Sequence, residues 1–321
     1  MKKINDLLEK NSNFKKLGKN LLSFLKDDIN SNQLQTKNAF SDKWEKIDYH
    51  DNNFKKLENH SKKWYLELYG FDNERTFKSF LINQKIILDA GCGTGHKAAW
   101  MAELSPESLI IASDISDSIF SAAKHYKNHE NIVWIRGDIM KMPYFKPNIF
   151  DYVSCDQVIM HTSNPFLTFK ELVRVTKKEG QLSVYVYRKK ALPRELLDDY
   201  FRSKAQELSD RELTELSNQI TSLGKLLSKE KTELNFPSIP LLNIDGGKMS
   251  IQRFIYWNFI KCFWDEKLGS KNSFLINYDW YAPSQATRYS KEEFKSWILH
   301  QKLEEIFFHQ ENACYSGRFK K

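Results

Sequence analysis

The sequence predicts an α/β protein built on a doubly wound, mostly parallel sheet of seven strands, with an N-terminal helical extension and a helical insert after the fifth strand. Three observations carry that expectation. From Lys85 onward, short apolar runs alternate with segments of helical spacing, the pattern of parallel strands joined by crossover helices. A glycine turn, Gly91-Cys92-Gly93-Thr94-Gly95, directly follows the first of those runs. The alternation breaks at residue 191 and resumes near Ser290.

In chain order, residues 1–84 read as the helical extension. Ile4, Leu7, Leu8, Phe14, Leu17, Leu21, Leu22 and Leu25 fall at roughly helical spacing with Lys10, Lys15, Lys16, Lys19 and Lys26 between them, which predicts one or two amphipathic helices over 1–27. A basic amphipathic helix can lie on a membrane, but packing against its own domain is the commoner use of the pattern. A polar connector, Asp28–Lys37, leads to Phe40 and Trp44 and then to a helical stretch up to Tyr69. The core, 85–190, opens with the strand Ile86–Leu88 and continues with strands at 110–113, 132–135, 151–155 and 182–187. Helices are expected between them at Ala98–Leu104, Asp117–Tyr126 and Pro165–Val175, the last with Asn164 as N-cap and Pro165 at its first position. Residues 191–287 form the insert: a charged helical segment Pro193–Glu233, a Pro- and Gly-containing loop Phe236–Lys248, and the aromatic run 253–264. An insert at that point would sit over the carboxyl edge of the sheet. Residues 288–321 complete the core: Ser290 and Glu293 form a capping box for a helix ending at Gln301, and LEEIFFHQ and CYSGRF supply two last strands.

The 321 residues suit one large domain or a core with a substantial insert, since single cores stop growing near ~250–300 residues. With 41% hydrophobic, 14% aromatic and 28% charged residues, whole-chain disorder is excluded. No run reaches the ~18 apolar residues of a spanning helix. Ile251–Trp264 comes nearest and is interrupted by Arg253 and Lys261, so no integral membrane association is expected. Asp6 and Glu9 fall where a signal peptide needs an uncharged apolar stretch, and the expected compartment is the cytoplasm. Cys92, Cys155, Cys262 and Cys314 lie far apart with no CxxC pair, which suggests neither disulfides nor zinc. No histidine spacing suggests another metal. The net charge of +8 fits a Lys-rich composition bias as well as a nucleic-acid or anionic lipid partner.

The sharpest signal is Asp89-Ala90-Gly91-Cys92-Gly93-Thr94-Gly95, between a strand and a helix. Glycines there allow a tight turn and close approach of a ligand to backbone NH groups at a helix amino terminus. A dinucleotide turn, GxGxxG, would need glycine at position 96, which is His96; a nicotinamide dehydrogenase is disfavoured on that ground. The spacing found resembles instead the first motif of class I S-adenosylmethionine-dependent methyltransferases, a Rossmann-like family, here of the uncharacterised bacterial small-molecule type. In that family the turn receives the amino-acid end of S-adenosylmethionine, which leaves as S-adenosylhomocysteine. The resemblance thus implies that Asp89, Gly91, Cys92, Gly93 and Gly95 bind the cofactor. An acid should end the second strand about 20 residues after the glycines and hold the ribose hydroxyls; Asp114 is there. Gly137-Asp138-Ile139 resembles the family's adenine-binding turn, with Asp138 accepting from the exocyclic amine and Ile115 and Ile139 flanking the ring. FDYVSCDQVIMHTSNP is similar to the stretch whose polar loop faces the methyl donor, which places Asp156 and Gln157 there. KKEG stands where many members have KPGG, a departure at Lys178 and Glu179 that affects only the turn. The resemblance covers 85–187 and, more loosely, 288–321.

Methyl transfer needs positioning, worth ~7–11 kcal/mol, and a dry aromatic pocket suits its dispersing charge. Tyr278-Asp279-Trp280-Tyr281-Ala282-Pro283 resembles an aromatic-Pro segment of some uncharacterised bacterial members. Tyr278, Trp280 and Tyr281 are therefore expected to line the acceptor site, the other reading being aromatic packing of a lid. A hydroxyl or ammonium acceptor must lose a proton, and His161 is the candidate catalytic base, its ordinary pKa of ~6.5 lying close to working pH. Asp156 is the alternative group near the methyl, and ordering the following turn is the other reading of His161. Phe40 and Trp44, with Lys43 between them, resemble an aromatic pair in relatives whose N-terminal helices fold over the cofactor, unless they simply pack in a core.

The expectation is a methyltransferase acting on O or N of a small-molecule or carrier-linked acceptor, without metal and compatible with a homo-oligomer. An RNA- or DNA-directed enzyme is the first alternative, favoured by the charge. Against it, the fourth-strand motif is CDQV rather than Asn/Asp-Pro-Pro-aromatic, and no nucleic-acid module is appended. A catalytically silent cofactor-binding subunit that activates a partner is the second.

Overall fold

The computed structural model describes residues 2–10, 12–25, 31–45 and 47–321. The seven expected strands are present as β1 (Ile86–Ala90), β2 (Leu109–Asp114), β3 (Ile132–Arg136), β4 (Phe150–Cys155), β5 (Thr176–Arg188), β6 (Glu304–Gln310) and β7 (Cys314–Lys320). They lie in the order β3-β2-β1-β4-β5-β7-β6. β1 to β5 run parallel, while β7 is antiparallel to both β5 and β6. Strand order reverses between β1 and β4, and such a switch point opens a crevice at the carboxyl ends of the strands. Alternate residues feed two cores: Leu88, Ile111, Val133 and Val153 on one face, Ile87, Ile110, Trp134 and Tyr152 on the other. β5 starts earlier than expected and takes KKEG into the strand, with Glu179 left-handed at φ 64° and a register shift against β4.

Three short strands enlarge the sheet beyond seven. Lys15–Lys16 pairs with Leu21–Ser23, which runs parallel to β3 with Leu21 opposite Trp134, and Arg288–Tyr289 extends alongside the end of β5. This corrects the reading of 1–27 as amphipathic helix, of which, among the described residues, only the turn Lys2–Asn5 is helical. Leu21 and Leu22 enter the two opposite cores, as successive strand residues do, and over so short a run that pattern mimics helical spacing. Lys26 and residues 28–30 of the expected connector lie outside the described residues. From Ser31 the connector is already helix, so α1 spans Ser31–Glu45, followed by α2 (Asn52–Leu68) and α3 (Glu74–Leu81).

The crossover helices are α4 (His96–Leu104), α5 (Ser118–His125) and α6 (Pro165–Val175). Asn164 caps α6 by accepting from the Leu167 amide at 3.0 Å, with Pro165 at the first position. The insert holds α7 (Leu192–Ala205), α8 (Asp210–Leu227), α9 (Ile251–Asn258) and α10 (Gly269–Tyr281). Where a loop was expected, Glu233–Phe236 and Gly247–Ser250 form a hairpin. Gly224 lets α8 approach the Cys262 carbonyl, which any Cβ there would strike. The insert is fastened to α1: Gln35 donates to Ala282 O at 2.9 Å and accepts from the Ser284 amide at 2.7 Å, and Lys43 pairs with Asp279 at 2.9 Å. Ser290 and Glu293 form the expected capping box of α11 (Lys291–His300). No described helix is long and apolar enough to cross a membrane.

Candidate active site

The carboxyl ends of β1 to β4, helices α1 and α2 and the insert surround a cavity of about 460 Å³. Its floor is the glycine turn. Gly91, Gly93 and Gly95 adopt φ of 84°, 52° and 78°, the left-handed region that other residues rarely enter. A Cβ at Gly91 would fall into Val158, and one at Gly95 into the Trp134 ring. Gly91, Cys92 and Gly93 line the cavity, whereas Gly95 stands behind its wall.

Asp114 ties the turn to β2. Its Oδ2 accepts from the Gly93 amide at 2.8 Å and its Oδ1 from the Ser116 amide and hydroxyl at 2.8 and 2.6 Å. Asp138 accepts from the Met140 amide at 2.9 Å through Oδ1. Both line the cavity, as do Ile115 and Ile139, and burial pushes both carboxyls up. Asp89 is buried behind the turn with Oδ2 lacking any hydrogen-bond partner among the described residues. Burial pushes its carboxyl up to about 7 against the pull of Lys97.

Asp156 and Gln157 line the cavity beyond β4, Gln157 in a left-handed conformation at φ 63° with its amide donating to Asp156 Oδ2 at 3.2 Å. Asp156 is not free to act as a base: Oδ2 lies 2.5 Å from Lys97 Nζ and Oδ1 accepts from Tyr69 Oη at 2.8 Å. Burial opposes the charge on Lys97, but Asp156 and Asp89 outweigh it and raise its pKa. Sequence reasoning missed Lys97, although a lysine within HKAAWMA was a visible anomaly.

His161 lines the cavity in the 3-10 turn Ile159–His161. Nδ1 donates to Gln285 O at 2.7 Å, which leaves Nε2 to accept from Tyr187 Oη at 3.3 Å. Burial pushes the imidazole down to about 4, so it is neutral at pH 7. Tyr185 and Tyr187, on one face of β5 by the two-residue period, also border the cavity; the run LSVYVY carried that signal unread.

The aromatic-Pro segment belongs to α10, and helical phase divides it. Asn272, Leu275, Ile276, Asp279 and Trp280 share the cavity face. Tyr278 and Tyr281 do not line the cavity and are buried in the insert's own core, because neighbours on a helix diverge by about 100°. Phe40 and Trp44 of α1 both border the cavity. The Trp44 ring lies 3.3 Å from where a Gly93 Cβ would stand, and Phe40 meets His161 edge-on at 5.0 Å.

Residues 88–184 match the family described as a methyltransferase domain. The chain is 31% identical over 175 residues to the uncharacterized protein MJ0638 of Methanocaldococcus jannaschii, covering 53% of this chain and 69% of that protein. Residues 88–184 are thus a methyltransferase domain of the class I S-adenosylmethionine-dependent kind. The chain is also 33% identical over 101 residues to malonyl-[acyl-carrier protein] O-methyltransferase of Halalkalibacterium halodurans, covering 30% of this chain and 37% of that one. It is 33% identical over 103 residues to the uncharacterized methyltransferase C1B3.06c of Schizosaccharomyces pombe, covering 29% and 37%. With these last two relatives the match spans little more than a third of their length.

The residues of the cavity fit the cofactor of that domain family, S-adenosylmethionine. Asp89 Oδ2 is buried and unsatisfied. The glycines leave a floor that a Cβ would disrupt, and Asp114 ends β2 while Asp138 follows the neighbouring β3, beside Ile115 and Ile139.

Proposed function

We propose that this chain moves the methyl group of S-adenosylmethionine to an oxygen or nitrogen of a small-molecule or carrier-linked acceptor seated under the insert. The observation that carries the reading is the cavity shared by the glycine turn and the insert, with Asp114 and Asp138 at one end and Trp280 at the other. In this reading Gly91 to Gly93 hold the amino-acid end of the cofactor, Asp114 its ribose, and Asp138 with Ile115 and Ile139 its adenine. When bound, the cofactor supplies an electrophilic methyl group on a cationic sulfur.

The chain's own part is to exclude water and orient the partners. Phe40, Trp44, Trp64 and Trp280 supply apolar walls, and orientation alone is worth ~7–11 kcal/mol. Lys97 and Tyr69 lock Asp156 in place below them. His161 is the base. Its Nδ1 proton is pinned on the Gln285 carbonyl, so Nε2 can take a proton. Tyr187 Oη donates to that nitrogen and borders the same cavity: in this reading the phenol receives the acceptor's proton while passing its own to Nε2. Such a relay contributes ~10²–10⁴-fold. The relatives named malonyl-[acyl-carrier protein] O-methyltransferases favour oxygen as the methylated atom and a carrier-linked acceptor.

Thermal stabilisation tests the cofactor. S-adenosylhomocysteine at a hundred times its Kd should add ~2.7 kcal/mol, and nicotinamide nucleotides none. Release of S-adenosylhomocysteine when S-adenosylmethionine and a metabolite extract are supplied together tests turnover. Binding without release would favour the silent-subunit alternative.

A further inference from the structure

The two ends of the cavity carry opposite charge. At the strand ends, Asp89 and Asp156 face Lys97, and Asp114 and Asp138 line the cavity beside them. At the insert end, Lys190, Arg194, Arg253 and Lys261 converge on a few ring faces. Lys261 Nζ lies 4.9 Å from the Trp280 centroid and 5.3 Å from that of Tyr256. The Arg253 guanidinium stands 5.5 Å from Tyr256 and 5.9 Å from Phe263, and Arg194 5.3 Å from Trp280.

Asp198 answers Arg194, and the other nearby acids hold partners outside this group of cations. Asp198 pairs with Arg194 at 2.6 Å and Asp279 with Lys43 at 2.9 Å. Asp265 Oδ1 accepts from the amides of Lys267 and Leu268 at 2.8 and 3.0 Å, ahead of α10. Lys190 donates only to the carbonyls of Arg188, Asn312 and Ala313; burial pushes its pKa down, and Arg194 and Lys261 push it further. Lys261 is 9% exposed; its ammonium donates to Tyr256 Oη at 3.1 Å and makes no ion pair among the described residues, the acid it acts on, Asp279, being paired with Lys43. Arg253 has no ion pair among the described residues. A buried ammonium facing phenols and rings has no acid in direct contact, and ring faces supply only part of what a carboxylate or phosphate supplies.

We infer that the acceptor carries an anionic group, a carboxylate or a phosphate, which seats between Lys261 and Arg253 and thereby turns its reacting atom toward the glycine turn. The inference rests on the methyltransferase reading of the cavity. A cationic donor sits favourably at the acidic end and an anionic acceptor at the basic end, so charge alone sorts the two ligands.

The test titrates the full chain, saturated with S-adenosylhomocysteine, with phenyl phosphate, benzoate and uncharged benzyl alcohol in a calorimeter. At least one anionic probe should bind tenfold or more tighter than benzyl alcohol. Lys261→Met and Arg253→Met should each weaken it tenfold or more, with S-adenosylhomocysteine affinity unchanged within twofold. Lys261→Arg, which keeps the charge, should restore anion binding. Preference for phenyl phosphate assigns the seat to phosphate, preference for benzoate to carboxylate. Equal binding of the three probes, no binding of any, or unchanged anion affinity in both Met variants overturns the inference. A tenfold loss of S-adenosylhomocysteine affinity in Lys261→Met overturns it too, because the cations would then serve the cofactor. If S-adenosylhomocysteine fails to bind the unaltered chain, the methyltransferase reading falls first, and the same titration without it still decides the anion seat.

Discussion

The ammonium of Lys97 lies 2.5 Å from Asp156 Oδ2, and both side chains are buried beneath the glycine turn. Removing one partner of such a pair leaves an uncompensated charge, which costs about 3–5 kcal/mol. Lys97→Met should therefore lower the unfolding free energy by that amount in a urea titration. Lys97→Met combined with Asp156→Leu should recover part of it; a loss under ~1 kcal/mol in the single variant would argue against a tightly coupled pair.

Gly91→Ala should cost about 1–3 kcal/mol, the range for a residue held in a sparsely populated backbone region, and should weaken S-adenosylhomocysteine at least tenfold in calorimetry. The residue combines φ 84° with a Cβ position inside the Val158 side chain. Gly269 provides the control. Its φ is 76°, but nothing lies within 4 Å of its Cβ position, so Gly269→Ala should share the strain and keep cofactor affinity.

The acid limb of the rate profile should report His161. Burial holds its folded-state pKa near 4, below the ordinary ~6.5. If Nε2 is the base, kcat/KM should stay level from pH 8 to 5 and fall as pH nears 4. A limb centred at 6.5, or an unchanged profile in His161→Gln, would argue against the assignment.

The same groups fix the sign of two stability terms. His161 is buried neutral, so its contribution is present above the unfolded value of ~6.5 and is lost as pH falls toward about 4. Asp89 is raised to about 7, so its contribution is full below ~4 and is lost as pH rises through 7. Across pH 4–7, His161→Gln should flatten the rise of stability with pH and Asp89→Asn should steepen it, as measured by denaturant titration at each pH.

Trp280 and Tyr278 separate a ligand-facing role from a packing one. Trp280→Phe should lower kcat/KM for the acceptor about tenfold while S-adenosylhomocysteine affinity stays within twofold. Tyr278→Phe, on the face buried in the insert's core, should leave both within twofold.

The core strands and the glycine turn were legible because their signals are local: β-branched runs, turn chemistry and one spacing, Asp89 to Gly95. Leu21–Ser23 was not, since two alternating leucines fit either period and only pairing with β3 decides between them. At the cavity, Asp114 and Asp138 were legible as strand-end acids. Lys97, Tyr187 and Lys261 were not, because their meaning depends on what lies opposite: Asp156, His161 and an aromatic wall from other elements. Tyr278 and Tyr281 were grouped with Trp280 by adjacency along the chain, which helical geometry undoes.

Gln35 holds the backbone at Ala282 and Ser284, and Lys43 holds Asp279. One end of the chain therefore latches the far side of the chamber shut across a span of roughly 250 positions. Any opening of the chamber between α1 and α10 must first break those contacts, so their strength, far along the chain from the glycine turn, sets how readily that face can part.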